Sequence, residues 1–455
     1  MQRVPQKFLE QRVALSLFGY LILGFISAGL ALHLVSLRDP DRLVPVSVAD
    51  IFGAIPLALL LYLLGSVLVL RFPIQQAFGW YSCFFIVRIL SALFLSTIVQ
   101  FDDELAFHYA GLEQVYGWVS FKAGRAYYHL VNTLYSVFGP NILLPKMVNV
   151  YIGSLLPLFA YDIGYWLFGE RKAAWRAFLF TGLLPPFVVF SAVNLKEIST
   201  GYLLVLLVWI LLNPRREGFW KVVGVGITVW ILYWLRGAPL AMVGILGVMI
   251  YYIFSLQPRF SKIIKVATVL VPVALFVVPP LLNSIQSQIW SRTKQEEYFI
   301  QRFAESEATV TRFLNVENPF SPKNIAILGL RGLFSPTPLR FMLDYGIGTL
   351  IEALNMLVWY ALFPLAVISL LVYRRKVGVI VCGIIMLAVF AIATMGIMVG
   401  SDPYRHRMMA MGFVAILGSG GLKKNVLYRY RWVVSLWILG AIGFTGLWFI
   451  LRIEG

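Results

Sequence analysis

Charged residues are scarce in this chain of 455 residues: 13% are Asp, Glu, Lys or Arg, while 60% are hydrophobic. A soluble globular chain carries roughly 25% charged and 45–50% apolar residues, so soluble, disordered and fibrous classes are excluded at once. Cysteine is nearly absent. The two present, Cys83 and Cys382, both lie inside apolar runs, which excludes a disulfide framework and a thiolate metal centre as organising features. Acidic residues are few, 21 against 38 Lys and Arg, for a net charge of +17. Neither an internal repeat nor a low-complexity tract appears. The opening MQRVPQKFLEQR leads into an apolar run without a small-residue cleavage site, which reads as a retained first span.

What the sequence does contain is long apolar runs. About 20 apolar residues cross the hydrocarbon core of a bilayer. Runs near that length cover 13–37, 51–70, 77–100, 147–168, 175–193, 198–213, 219–235, 238–256, 264–283, 347–373, 377–399, 408–422 and 432–451. The expectation is an all-α polytopic membrane protein with about 13 transmembrane helices, a count that follows from the run length a span requires.

Lys and Arg in the short loops set the orientation of such a chain. With the N-terminus cytoplasmic and the chain alternating, the inside segments hold 20 basic residues and 3 acidic ones (Glu10, Glu170 and Glu217). The outside segments hold 17 of each sign, and the remaining Arg88 and Asp162 lie within spans and cancel. The whole net charge therefore falls on the cytoplasmic side and reports orientation. It does not call for a nucleic-acid partner, because the basic residues are dispersed in short loops. This topology puts the C-terminus outside, in a multi-pass protein of the cell (inner) membrane.

Two external segments are too long for plain connections, about 101–146 and 284–346. In the first, Leu112, Val115, Tyr116 and Val119, then Tyr128, Val131, Leu134, Tyr135 and Phe138, recur at helical spacing, as amphipathic helices in the interface plane do. The second reads as a charged helix followed by a Pro-punctuated stretch. The expected organisation is an N-terminal hairpin of two spans over 1–76 and a membrane core over 77–285 containing the acidic loop. A long external loop over 286–346 and C-terminal spans over 347–455 complete it.

The sharpest cluster is Asp102-Asp103-Glu104, placed where the third span exits. Adjacent carboxylates raise one another's pKa unless cations or a metal compensate. The triplet reads either as a solvated acidic loop or as a general base or metal ligand facing a membrane-embedded substrate. Within the spans, Arg88 and Asp162 lie on adjacent helices at depths differing by roughly 5–8 Å, a gap an arginine can bridge, which favours a structural ion pair between them over a proton path.

The run from DDELAFHYAGLEQ through GRAYYHLVNTLYSVFGPN to LPPFVVFSAVNLKE resembles the membrane-embedded GT-C glycosyltransferases. The likeness is to bacterial relatives of protein O-mannosyltransferases, the lipid A aminoarabinose transferase and lipopolysaccharide sugar transferases. Its motifs here are Asp103-Glu104, Phe168-Gly169-Glu170-Arg171-Lys172-Ala173, Pro185-Pro186, Ser191 and Lys196-Glu197. It covers about 77–285 and returns at SDPYRHRMMAMGFVAILGSGG. One departure is clear: in the family the acidic loop usually follows the first span, whereas here two further spans precede the one it follows.

The resemblance implies an inverting transferase that moves a sugar from a polyprenyl-phosphate donor to a glycan, lipid or protein acceptor on the external face. It implies Asp103 as general base, with Asp102 and Glu104 tuning it. No cofactor is required outright, and a divalent metal on Asp102 and Asp103 is compatible with the triplet. The leaving phosphate needs cations, for which the external Lys196, Arg236, Arg405 and Arg407 are candidates. Glu197, Tyr404, His406 and Tyr128 are the candidate substrate contacts. Competing readings exist for several of these: a local ion pair for Lys196 with Glu197, a snorkelling anchor for Arg236, and surface histidines for His108, His129 and His406. The same base and phosphate cations also suit a glycan polymerase or ligase acting on a carrier lipid. A transporter is the reading from another class, although inverted repeats and broken helices near the midplane, its usual marks, are not evident.

Overall fold

A computed structural model describes residues 44, 46–72, 74, 77–98, 102–115, 125–214, 219–256, 329–330, 332–334, 347–397 and 403–453. The described residues form helices and connections, with no strand among them. Among the described residues, six helices are long and apolar enough to cross a membrane, or seven if one bent pair counts as a single span. The expected runs 13–37 and 264–283 lie outside the described residues, as does most of 286–346, so the count of 13 stays an expectation. The chain divides into two compact units. One comprises the residues up to Phe159 together with Phe178–Tyr202, and the other Ala160–Ala177 together with the residues from Leu203 onward.

The first unit contains α1 (Val48–Val69), α2 (Ala77–Ile98), α3 (Asp102–Val115), α4 (Arg125–Phe138) and most of α5 (Leu143–Phe168). It also holds the end of α6 (Arg171–Leu183), all of α7 (Pro185–Ser191) and the start of α8 (Glu197–Leu212). Ser47 begins α1 with a reciprocal cap: its hydroxyl accepts from the Asp50 amide and the Asp50 carboxylate accepts from the Ser47 amide. Two donors that a helix start leaves orphaned are thereby satisfied. Helices α1 and α2 cross where Gly65 meets the Tyr81 ring. A Cβ at residue 65 would lie 2.0 Å from the Tyr81 hydroxyl, so any larger residue there requires the Tyr81 ring to shift.

The expected span 175–193 is broken, with α6 and α7 meeting at 46°. The cause is Pro185-Pro186, since a proline has no N–H to offer the carbonyl four residues back. Thr181 loses its helical donor in this way, and Arg88 replaces it: Nη2 donates to the Thr181 carbonyl at 3.1 Å and Nη1 to the Phe84 carbonyl at 3.3 Å. Arg88 is fully buried, and Gly153 makes room for its Nε, because a Cβ there would lie 3.0 Å away. The negative end of the α6 dipole favours the cation at this place. The expected pair with Asp162 is therefore corrected. Arg88 serves a carbonyl freed by proline, and the Asp162 carboxylate accepts from Trp209 Nε1 at 3.0 Å.

The second unit contains the remainder of α5, α6 and α8, then α9 (Phe219–Arg236), α10 (Ala238–Leu256), α11 (Ile347–Tyr373), α12 (Val377–Ile397), α13 (Pro403–Gly421), α14 (Lys424–Arg429) and α15 (Arg431–Ile453). Helix α13 packs on α11 and α12 and is buried from Arg407 to Gly421. Basic residues expected on the cytoplasmic side cap helix ends here. Lys376 Nζ donates to the Leu167 carbonyl at 2.7 Å, Arg176 to that of Ser419 at 3.1 Å and Lys221 to that of Leu211 at 2.8 Å. Lys423 pairs with Glu170 at 2.5 Å. Cations at helix C-termini satisfy orphan carbonyls and oppose the dipole. These contacts join loops 169–176, 374–376 and 423–431, which the charge argument had put on one side.

Candidate active site

The acidic triplet opens a helix. Asp102, Asp103 and Glu104 form the first turn of α3, where the exposed amides and the positive dipole end favour carboxylates. The side chains of Asp102 and Asp103 lie outside the described residues. Glu104 is fully buried and forms an ion pair with Lys146 at the start of α5, itself fully buried. Lys146 Nζ also donates to Ser96 Oγ at 2.7 Å. The carboxylate of Glu104 is thus committed to a buried cation.

Helices α3 and α4 lie within 101–146; of the apolar positions expected there, Tyr116 and Val119 lie outside the described residues. Tyr127, Val131, Leu134 and Tyr135 are buried, whereas Tyr128 is half-buried and Phe138 exposed. Tyr127 and Tyr128 both meet the Phe107 ring, each with centroids 4.8 Å apart. His108, expected as a surface histidine, is buried, and its Nδ1 lies 2.6 Å from the Tyr135 hydroxyl. Burial lowers the His108 pKa; nearby Asp50 raises it and Lys146 lowers it further. Burial likewise raises the Tyr127 and Tyr135 hydroxyls, with Glu104 contributing to both.

Lys196 lies in the connection between α7 and α8. Between Ser191 and Thr200 it is the one side chain that is not buried. Its ammonium stands 5.4 Å from the centre of the Phe107 ring, a distance at which a cation is attracted to the ring face. Phe107 follows Asp103 by one helical turn on α3, so the two share a face of that helix. Glu197, the next residue, is buried in the first turn of α8.

A polar cluster supports this connection. Asn149 on α5 donates to the Val193 and Leu195 carbonyls at 2.7 and 2.8 Å, and Tyr127 donates to Asn194 Oδ1 at 2.9 Å. Lys146, Asn149 and Asn194 were not singled out in the sequence. A polar residue at each of positions 146, 149 and 154 along an otherwise apolar helix was the available signal.

The remaining candidates belong to the second unit. Arg236 is the half-buried last residue of α9, and Gly237 ends that helix with φ +82°. Tyr404 and Arg405 start α13 with side chains outside the described residues; His406 is half-buried. Arg407 is buried over the Trp359 ring at 5.3 Å, and its Nη1 donates to the Gly332 carbonyl at 3.0 Å. Trp359 Nε1 donates to the Leu333 carbonyl at 3.0 Å and Tyr360 to that of Phe334 at 2.7 Å. Three side chains therefore anchor residues 332–334 of the long external segment, and Arg407 is one of them. Among the described residues, no group of three or more His, Cys, Asp or Glu is placed to hold a metal ion.

No family model matches this sequence, and no curated protein does. Among solved structures, the chain is similar to ArnT from Cupriavidus metallidurans in the apo state, at 14% identity and a TM-score of 0.45, over 76% of this chain and 60% of that one. It is also similar to ArnT from the same organism bound to undecaprenyl phosphate, at 14% identity and a TM-score of 0.44, over 83% of this chain and 72% of that one. The chain thus spans about 60% of the length of the first of these proteins.

Proposed function

We propose that this protein is an integral membrane glycosyltransferase that takes its sugar from a polyprenyl-phosphate carrier. The observation that carries the reading is the placement of Lys196. Half-buried among buried neighbours, it holds its ammonium 5.4 Å from the centre of the Phe107 ring, on α3 one turn from Asp103. A base and a phosphate-binding cation have to flank the same anomeric carbon, and a cation beside the helix that carries Asp103 supports assigning those two roles to Lys196 and Asp103.

In the proposed reaction an acceptor hydroxyl gives its proton to the Asp103 carboxylate as its oxygen bonds to the anomeric carbon. The bond from that carbon to the phosphate oxygen breaks on the opposite side, which inverts the configuration. The leaving group is the polyprenyl phosphate, whose added negative charge Lys196 stabilises. Interactions that strengthen as this charge develops are the ones that accelerate the step. Arg236 and Arg405 remain further candidates for the phosphate, and Tyr128, Glu197, Tyr404 and His406 for the sugar or acceptor. Arg407, the fourth candidate for the phosphate, donates through Nη1 to the Gly332 and Leu333 carbonyls and lies over the Trp359 ring. Its proposed part is to hold residues 332–334 in place. The acceptor side is the external face on the topology that the loop charges favour, with the N-terminus cytoplasmic.

The test is binding of undecaprenyl phosphate against undecaprenol, which lacks only the phosphate, to the purified protein in detergent. Undecaprenyl phosphate is expected to bind about tenfold more tightly, the value of one charge-assisted contact. Equal affinity for the two lipids refutes a phosphate site.

A further inference from the structure

Asn149 is fully buried on α5, and its side-chain nitrogen faces three acceptors: the Val193 carbonyl at 2.7 Å, the Leu195 carbonyl at 2.8 Å and the Tyr127 hydroxyl at 3.0 Å. An amide nitrogen carries two hydrogens. The two carbonyls, at the shorter distances, take them. At its other end, Asn149 Oδ1 accepts from Ser199 Oγ at 3.1 Å. One amide therefore grips the main chain on either side of Asn194 and also the first turn of α8. Lys196 lies between those two grips. Asn194 in turn reaches back to α3, with Nδ2 3.5 Å from the Glu104 carbonyl.

We propose that Asn149 is a positioning residue for Lys196, one that fixes where the ammonium stands relative to the acid-bearing turn of α3. The inference rests on the reading of Lys196 as a phosphate-binding cation. The chemistry of the amide makes it specific. An aspartate at this position has the same shape but no hydrogens to donate, so carboxylate oxygens would face the Val193 and Leu195 carbonyls. Repulsion then moves the connection away from α5, and Lys196 moves with it. Asn149 itself touches neither substrate nor reacting atoms.

The experiment is a double-mutant cycle on the full-length protein in detergent, with undecaprenyl phosphate and undecaprenol as probes. Lys196→Ala is expected to weaken undecaprenyl phosphate binding about tenfold and leave undecaprenol binding unchanged. Asn149→Asp is expected to give a similar, phosphate-specific loss of about tenfold, and less than about twofold when added to Lys196→Ala, because one residue acts through the other. Unchanged undecaprenyl phosphate affinity in Lys196→Ala refutes the role of Lys196 itself. A loss in Lys196→Ala without one in Asn149→Asp, losses that simply add, or equal losses for both lipids overturn the positioning role alone. Should Asn149→Asp not fold, Ser199→Ala removes the hydroxyl that orients the amide and is expected to weaken undecaprenyl phosphate about threefold. Unchanged affinity in that variant also overturns the proposal.

Discussion

Replacing Lys146 by methionine removes the cation that neutralises a carboxylate with no access to water. Both Lys146 and Glu104 have a relative exposure of 0%, so neither charge is screened by solvent. Breaking a buried pair by removing one partner costs about 3–5 kcal/mol, whereas replacing both partners by uncharged groups of similar size is often close to neutral. Lys146→Met is therefore expected to cost about 3–5 kcal/mol, and Glu104→Gln a similar amount because it leaves the ammonium stranded. The double variant should recover most of the loss and lie within about 1–2 kcal/mol of the parent, the remainder being the Ser96 hydroxyl that loses its donor. The assay is equilibrium unfolding of the four proteins in mixed micelles. Two single losses each below about 1 kcal/mol, or losses that add in the double variant, contradict the buried pair.

Other consequences are open to measurement. Burial holds His108 below the ordinary histidine value. A group depressed in the folded state contributes stability that is present above the unfolded pKa of about 6.5 and lost as pH falls toward the folded value. The melting temperature should therefore decline below about pH 6.5, and His108→Gln should flatten the decline; coincident profiles speak against this. Arg88→Met should cost about 1–3 kcal/mol by removing the hydrogen bonds that Arg88 donates to the Thr181 and Phe84 carbonyls. That loss should add to the effect of Asp162→Asn; strong coupling between the two would restore the carboxylate partner rejected above.

The helices were legible because length and apolarity are all that a span demands. The expected 147–168 appears within Leu143–Phe168, 219–235 within Phe219–Arg236 and 347–373 as Ile347–Tyr373. The break in 175–193 was present in Pro185-Pro186, although the transporter reading was set aside in part because broken helices were not evident. Partnership was harder to read. Arg88 was matched to the other intramembrane charge on depth alone, a criterion blind to carbonyls that a proline sets free. Lys146 and Glu104 are separated by forty-two positions, and periodicity carries no information about which helix faces which. The same holds for Asn149, whose amide satisfies main-chain groups in a connection that the sequence presents only as VNLKE, and for Asn194, which donates from that connection to the Glu104 carbonyl on α3. Asp103 and Lys196 were chosen by type and motif. That Lys196 reaches the Phe107 ring on α3 was not legible, because it depends on how α3 returns toward the connection between α7 and α8.

The central claim is transfer itself, with Asp103 as the base. The direct measurement supplies membranes containing the purified protein with polyprenyl-phosphate-linked sugars labelled in the sugar, and follows release of unglycosylated polyprenyl phosphate together with the label's arrival on an acceptor. The account predicts turnover by the parent protein and a fall of at least about a hundredfold in Asp103→Asn, the lower end of what a positioned general base contributes, with undecaprenyl phosphate binding retained. Turnover in Asp103→Asn equal to that of the parent would contradict it.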